Sequence, residues 1–208
     1  MPTRIIIASG NTHKAEEIQA LLGNDFECRT LKDYPDAPEI EEDAATFAGN
    51  AVKKALSLVD WLKHHEYLTE GWVLADDSGL EVDALDGAPG VLSARYASDT
   101  TKSNSPDEAN NAKLLTALDG KPEHQRTARF RCVLALARAG AYGQPELFEG
   151  ACEGHIAKAP AGSEGFGYDP LFVPENFVDT FGTLGAEIKS MLSHRAAALR
   201  KMKAWLER

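Results

Sequence analysis

Two short apolar runs, Ile5-Ile6-Ile7-Ala8 and Trp72-Val73-Leu74-Ala75, each break off at polar turn residues: Ser9-Gly10-Asn11 after the first, Asp76-Asp77-Ser78-Gly79 after the second. Four apolar residues stopping at a turn read as a buried strand. After the first run the spacing becomes helical, with Ala15, Ile18, Leu21 and Leu22 on one face and Gly23-Asn24 as the stop. A strand that feeds a helix through a short turn is the repeating unit of an α/β sheet, and this constrains the fold more than any other feature. Both strand ends also carry groups capable of chemistry.

The remaining pattern agrees. Phe26 to Leu31 reads as a second strand, and Asp33 to Asp43, with two prolines and six acidic residues, as an exposed loop. Thr46 is placed to cap a helix running to about His65, whose stripe is Phe47, Ala51, Lys54-Ala55, Leu58 and Leu62. Asp86 to Thr101 reads as loop and Pro106 to Leu118 as helix. Arg126 to Ala139 and Leu147 to Ile156 can pair as a long hairpin across Gly140 to Gln144. Ala157 to Gly167 reads as loop, and Ser193 to Leu206 as a helix with Ala196, Leu199, Met202 and Leu206 facing inward. With no internal repeat and no low-complexity linker, the order of elements predicts an α/β fold with a mixed sheet.

Composition narrows the function classes. With 208 residues, 43% apolar and 26% charged, the chain reads as one folded domain, at most split into two lobes around a cleft. Its 22 basic and 32 acidic residues give a net charge of −10, which argues against nucleic acid as a partner but is compatible with a small metal-bound phosphate ligand. Cys28, Cys132 and Cys152 are far apart and form no C-x-x-C, so neither a zinc site nor a disulfide framework is expected. The N-terminal apolar run is too short for a signal peptide and no 18-residue apolar stretch occurs, so no membrane association and a cytoplasmic location are expected.

Four segments carry candidate chemistry. Ser9-Gly10-Asn11-Thr12-His13-Lys14 would offer a phosphate the amides of a helix start and the charge of Lys14; it lacks the Walker A spacing, and Asn11 as a simple helix cap is an equal alternative. One carboxylate of Asp76-Asp77 can bind Mg²⁺ or accept a proton from water, the other contacting the scaffold; ordinary turn chemistry is the competing reading. The glycines flanking Phe166 in Gly165-Phe166-Gly167-Tyr168-Asp169-Pro170 would leave its ring open to stack on a flat ligand, or make it a core anchor of a loop. Lys189 and Ser193-His194-Arg195 form a cationic cluster at a helix start, which needs an acceptor-rich partner, the acidic loop being one candidate.

Phosphate cradle, carboxylates, aromatic platform and arginine together describe a nucleotide site. In this order the strings S-G-N-T-H-K, T-F-x-x-N-A-x-x-K-A, D-D-S-G-L, A-P-G-V-x-S-A-R-Y, F-G-Y-D-P and K-x-x-x-S-H-R resemble the inosine triphosphate pyrophosphatase family, the bacterial dITP/XTP (noncanonical purine NTP) pyrophosphatases, from Ile5 to about Leu199. The resemblance implies a two-lobed α/β fold with a long central mixed sheet and the active site in the cleft between the lobes, a homodimer, and Mg²⁺-dependent hydrolysis of a nucleoside triphosphate to monophosphate and pyrophosphate. It implies that Ser9, Gly10, Asn11, Thr12, His13 and Lys14 bind the triphosphate, that Asp77 is proton acceptor and metal ligand, and that Ser78 binds substrate. Phe166, Gly167, Tyr168, Asp169, Lys189, His194 and Arg195 would then surround the nucleotide. The metal-binding glutamate matches Glu42, with Glu41 and Glu39 as alternatives because Asp43-Ala44 departs from the commoner pattern. A nucleotide-binding sensor without catalysis is the rival reading.

Overall fold

The isoleucine run forms strand β1 (Thr3–Ile7), in which Ile5, Ile6 and Ile7 are wholly buried. The computed structural model to which it belongs describes residues 2–65, 67, 70–98, 103–141 and 143–208. The chain continues through α1 (Thr12–Leu22), β2 (Phe26–Thr30), α2 (Phe47–His64), β3 (Trp72–Val82), α3 (Asp107–Ala117), β4 (Thr127–Arg138), β5 (Glu146–Ile156), β6 (Phe172–Pro174), α4 (Phe181–Leu192) and α5 (His194–Leu206). The strands form one six-stranded sheet in the order β2-β1-β3-β4-β5-β6. β1 runs parallel to β2 and to β3, with Ile5 opposite Trp72 and Ile7 opposite Leu74, whereas β5 and β6 are antiparallel. The fold is therefore α/β with a mixed sheet, as the element order predicts.

Local signals set several boundaries. Asn11 and Thr46 cap α1 and α2, accepting hydrogen bonds from the amides of Lys14 and Gly49, and Gly23 closes α1 with a φ of 70°. The last helix starts at His194, and the Ser193 hydroxyl accepts from the Ala196 amide.

Two expectations are corrected, and two further elements fall where no element is expected. Asp76-Asp77-Ser78-Gly79 is not a turn at a strand end: β3 runs straight through it, and Leu80 and Val82 beyond it are fully buried. Turn chemistry loses there because both carboxylates are paired within the fold. The short strand β6 and the helix α4 lie where the sequence shows no regular period; α4 contains Gly182 and Gly185, the latter at φ 78° and ψ 178°, which interrupts the helical spacing. The predicted loop from Asp86 contains a 3₁₀ turn, Gly90–Arg95, and its end, residues 99–101, lies outside the described residues, as does residue 142 in the predicted hairpin connection.

The chain divides into two compact units. The first comprises Met1–Asp77, Cys132–Glu149 and Ala198–Arg208, and the second Ser78–Arg131 and Gly150–Ala197. In the first, Ile5, Ile7, Ile18, Leu22, Leu134 and Met202 belong to one apolar cluster. In the second, Leu80, Val82, Leu114, Phe130, Phe172 and Phe181 belong to another. Among the described residues no helix is long and apolar enough to cross a membrane. The cysteines are free thiols.

Candidate active site

In the first unit, β1 hands the chain to α1 through Ser9-Gly10-Asn11. Ser9 Oγ accepts from the Asn11 amide at 3.2 Å, and Asn11 Oδ1 accepts from the Lys14 amide at 3.1 Å. The capping role of Asn11 is thus realised, with the Lys14 amide as its donor. A Cβ at Gly10 would meet nothing within 4 Å, so the backbone there borders open space. Ser9, Thr12 and Lys14 are half-buried, and His13 is exposed, 3.9 Å from Glu16.

Successive side chains of a strand point to opposite faces, and the two aspartates of β3 accordingly have separate partners. Asp76 Oδ1 lies 2.9 Å from Lys14 Nζ, and its Oδ2 accepts from the Cys132 thiol at 3.2 Å. Asp77 Oδ1 accepts from Lys54 Nζ at 2.9 Å, and its Oδ2 from the Asn50 amide group at 3.2 Å. Lys54 also reaches Glu42 Oε1 at 2.6 Å and the Asp76 carbonyl at 2.7 Å. Burial pushes the Asp77 carboxyl above the ordinary aspartate value, against the opposing pull of Lys54 and Lys14. For Lys54 burial works toward the neutral amine, but the charges of Asp77 and Glu42 outweigh it and the ammonium is held more firmly than in water.

Asn50 and Lys54 were absent from the expected site. They stand four residues apart, hence on one face of α2, and both are buried. The readable signal was an amide and a charge inside an otherwise apolar stripe. Asn50 also accepts from the Ala44 amide at 2.9 Å, and Lys53 pairs with Asp43 at 2.6 Å, so the acidic loop is tied to α2 at its end. Of the three glutamates considered, Glu42 joins Asp77 around Lys54, whereas Glu39 and Glu41 are exposed.

The second unit gathers Ser78, Phe166, Asp169, Lys189 and Arg195. Asp169 is buried, accepts from the Phe166 amide at 2.8 Å and pairs with Lys189 at 2.5 Å. Lys189 thus has a buried acidic partner within its own unit. A Cβ on Gly165, whose φ is +77°, would fall 2.0 Å from Asp169 Oδ2, so this turn requires glycine. Gly167 is held through its amide by Asp107 and through its carbonyl by Asn111. The Phe166 ring is half-buried, with Lys189 Nζ 4.4 Å and Arg195 Cζ 6.0 Å from its centroid. Both cations lie against the Phe166 ring. Arg195 is almost wholly buried and donates to Ser78 Oγ at 3.2 Å. Tyr168 and His194 are buried as well. Tyr168 donates to the Ser93 carbonyl at 2.8 Å and burial raises its phenol far above the usual range, while His194 stacks on Phe130 at 4.9 Å.

The donor chemistry around Lys54 fits a hard divalent cation. Glu42 and Asp77 present carboxylate oxygens to a single positive atom, and Mg²⁺ characteristically takes one or two carboxylates and completes its shell with water and substrate phosphates. Among the described residues no cluster of three His, Cys, Asp or Glu side chains is assembled for a metal.

The sequence profile of the Ham1 family matches residues 5–205. Among curated proteins, the dITP/XTP pyrophosphatase of Shouchella clausii is 46% identical over 204 residues, 98% of this chain and 96% of that protein. That of Desulforamulus reducens is 45% identical over 206 residues, 99% of this chain and 96% of that protein. Among solved structures, the Ham1 protein of Staphylococcus aureus aligns with a TM-score of 0.80 at 37% identity, covering 98% of both chains. A HAM1 protein from Coxiella burnetii aligns with a TM-score of 0.83 at 36% identity, covering 99% of this chain and 98% of that one. Agreement in sequence and backbone along nearly the whole length establishes that this chain belongs to the Ham1 family.

Proposed function

We propose that this chain hydrolyses the noncanonical purine nucleoside triphosphates ITP, dITP and XTP to the monophosphate and pyrophosphate, clearing them from the nucleotide pool. The substrate class follows from the relatives, which carry the name dITP/XTP pyrophosphatase. The observation that carries the chemistry is Asp77, a buried carboxylate held between Lys54 and Asn50 beside Glu42.

The nucleophile is water, attacking the α-phosphorus, with Asp77 orienting it and taking its proton. A carboxyl whose proton affinity is raised by burial is a stronger base than one in water, which suits that task. Glu42 and Asp77 would hold Mg²⁺. A bound Mg²⁺ supplies positive charge to phosphate oxygens and so favours departure of pyrophosphate. Ser9 to Lys14 take the triphosphate, the helix start and Lys14 supplying donors and charge. Ser78, Phe166 to Asp169, Lys189, His194 and Arg195 would bind the nucleoside: Phe166 offers a stacking surface, and Arg195 a donor that suits the O6 acceptor of hypoxanthine and xanthine. We further propose a homodimer acting in the cytoplasm.

The test is pyrophosphate release from ITP, XTP, dITP, GTP and ATP, with Mg²⁺ and with EDTA. The reading requires turnover of the first three that stops in EDTA and returns with Mg²⁺. Binding without release makes the chain a nucleotide sensor, and full activity in chelator removes the role assigned to the carboxylates.

A further inference from the structure

Lys54 carries a positive charge into a nest of this chain's own oxygens. Its Nζ lies 2.6 Å from Glu42 Oε1, 2.7 Å from the Asp76 carbonyl oxygen and 2.9 Å from Asp77 Oδ1. An ammonium has three N–H donors, and these three oxygens can accept one each. Two carboxylates and a backbone carbonyl around one positive centre are also the kind of oxygen set that a hard divalent cation selects. Lys54 is fixed there at both ends: its stem lies in the buried stripe of α2 and only 7% of the residue is exposed.

The reading that Glu42 and Asp77 are metal ligands, on which this inference rests, therefore meets a conflict of occupancy. A carboxylate lone pair engaged by an ammonium N–H is not available to a metal, and two cations sharing one small nest repel strongly where little water screens them. We propose that Lys54 is an internal competitor for the metal site, its ammonium holding Glu42 and Asp77 together when no divalent ion is bound and yielding at least one of them when an ion binds. The arrangement keeps the buried charge of Asp77 paired in the metal-free protein, where an unpaired carboxylate would be costly. It also lowers the intrinsic affinity for the ion. The opposite role, a scaffold that poses the two carboxylates for the metal, predicts the opposite sign when the charge is removed.

The experiment is calorimetric titration of the whole chain with MgCl₂ alone, without nucleotide, comparing the unaltered protein with Lys54→Met and Lys54→Gln. Lys54→Gln keeps a hydrogen-bond donor and so preserves a folded protein if Lys54→Met does not. Competition requires Mg²⁺ to bind the neutral variants more tightly, on the order of tenfold, as expected when a tethered competitor is deleted. It also requires a larger Mg²⁺-induced rise in melting temperature in the variants than in the unaltered chain. Binding to the unaltered chain that is equal or weaker in the folded variants overturns the competition and leaves the metal assignment standing. Absence of Mg²⁺ binding by all three proteins overturns the competition, and the metal assignment is then decided by the EDTA arm of the turnover assay.

Discussion

Lys14 Nζ and Asp76 Oδ1 stand 2.9 Å apart, joining the first turn of α1 to a β3 carboxylate whose side chain is completely buried. The adjacent Asp77 is served by another lysine, Lys54, from another helix. Two neighbouring aspartates that look interchangeable in sequence thus belong to different networks. The first orients a cation at the proposed phosphate cradle, and the second lies among the proposed metal ligands.

Asp76→Asn should consequently act mainly on stability. It keeps the volume but removes the charge opposite Lys14, and loss of one partner of a largely buried pair costs on the order of 3 kcal/mol. A denaturant melt should show that loss together with a raised KM for nucleoside triphosphate, since Lys14 is no longer held. An unchanged melt would mean that the pair contributes nothing to the fold.

Asp77→Asn should act mainly on turnover. Loss of a general base typically lowers the rate by about 10²–10⁴-fold. Lys54 keeps Glu42 and the Asp76 carbonyl as partners, so the fold should survive better than with Asp76→Asn. Steady-state kinetics on a variant with near-normal melting behaviour checks this, and a kcat within tenfold of the unaltered chain would remove Asp77 from the role of base.

The contrast between these two residues also shows how far the sequence could be read. Asn11 and Thr46 were legible as caps because the partner amide is three residues away, and the isoleucine run was legible because burial is written in its composition. Lys54 was assigned to an apolar stripe, and only the fold reveals that the stripe carries a charge meeting Asp77, 23 positions on. The same distance effect turned Asp76-Asp77-Ser78-Gly79 from a predicted turn into strand, since polar residues leave a strand only when the fold does not pair them. Lys189 and Asp169, 20 residues apart, were each singled out, but nothing local joins them, and the two glycines of α4 hide the helix that does.

Gly165→Ala should disable the turn that presents Phe166. The added methyl group would collide with the Asp169 carboxylate and must also adopt a φ of +77°. Strain of this kind costs on the order of 1–3 kcal/mol, before any loss of the Asp169 contacts with Lys189 and the Phe166 amide. The expected outcome is a lowered melting temperature with a raised KM. Normal values for both would show that Asp169 can move aside without consequence.

A surface network on the second unit should make stability depend on acid. Hydrogen bonds from Thr127 and then from Arg129 hold the Asp83 carboxyl below its usual value. A carboxylate depressed in the folded state stabilises fully above its unfolded value of about 3.9 and loses that contribution as pH falls through the lower folded value. The network is solvent-accessible, so its worth is at most about 1 kcal/mol. Asp83→Asn should be less stable than the unaltered chain at neutral pH by that order, and the difference in urea melts should shrink below about pH 4. A difference that persists at low pH would assign the effect to packing instead of charge.

Base selection should depend on Arg195. Its guanidinium donates to Ser78 Oγ and lies 6.0 Å from the Phe166 centroid, so a donor and a stacking ring are presented by one cluster. Hypoxanthine and xanthine offer an O6 acceptor, whereas adenine offers an N6 donor, and two donors facing each other across a dehydrated contact cost on the order of 1–3 kcal/mol. ITP should therefore exceed ATP in kcat/KM by roughly 10-fold to 100-fold or more, since a misplaced base also misaligns the α-phosphate. No comparable group in the cluster distinguishes the sugar, so ITP and dITP should agree within about tenfold. Arg195→Ala should narrow the ITP/ATP ratio by lowering ITP turnover and leaving ATP nearly unchanged, measured well below a melting temperature that the cavity will reduce. If the unaltered chain hydrolyses ATP and ITP equally well, the cluster does not read the base, and the protein is a general nucleoside triphosphate pyrophosphohydrolase.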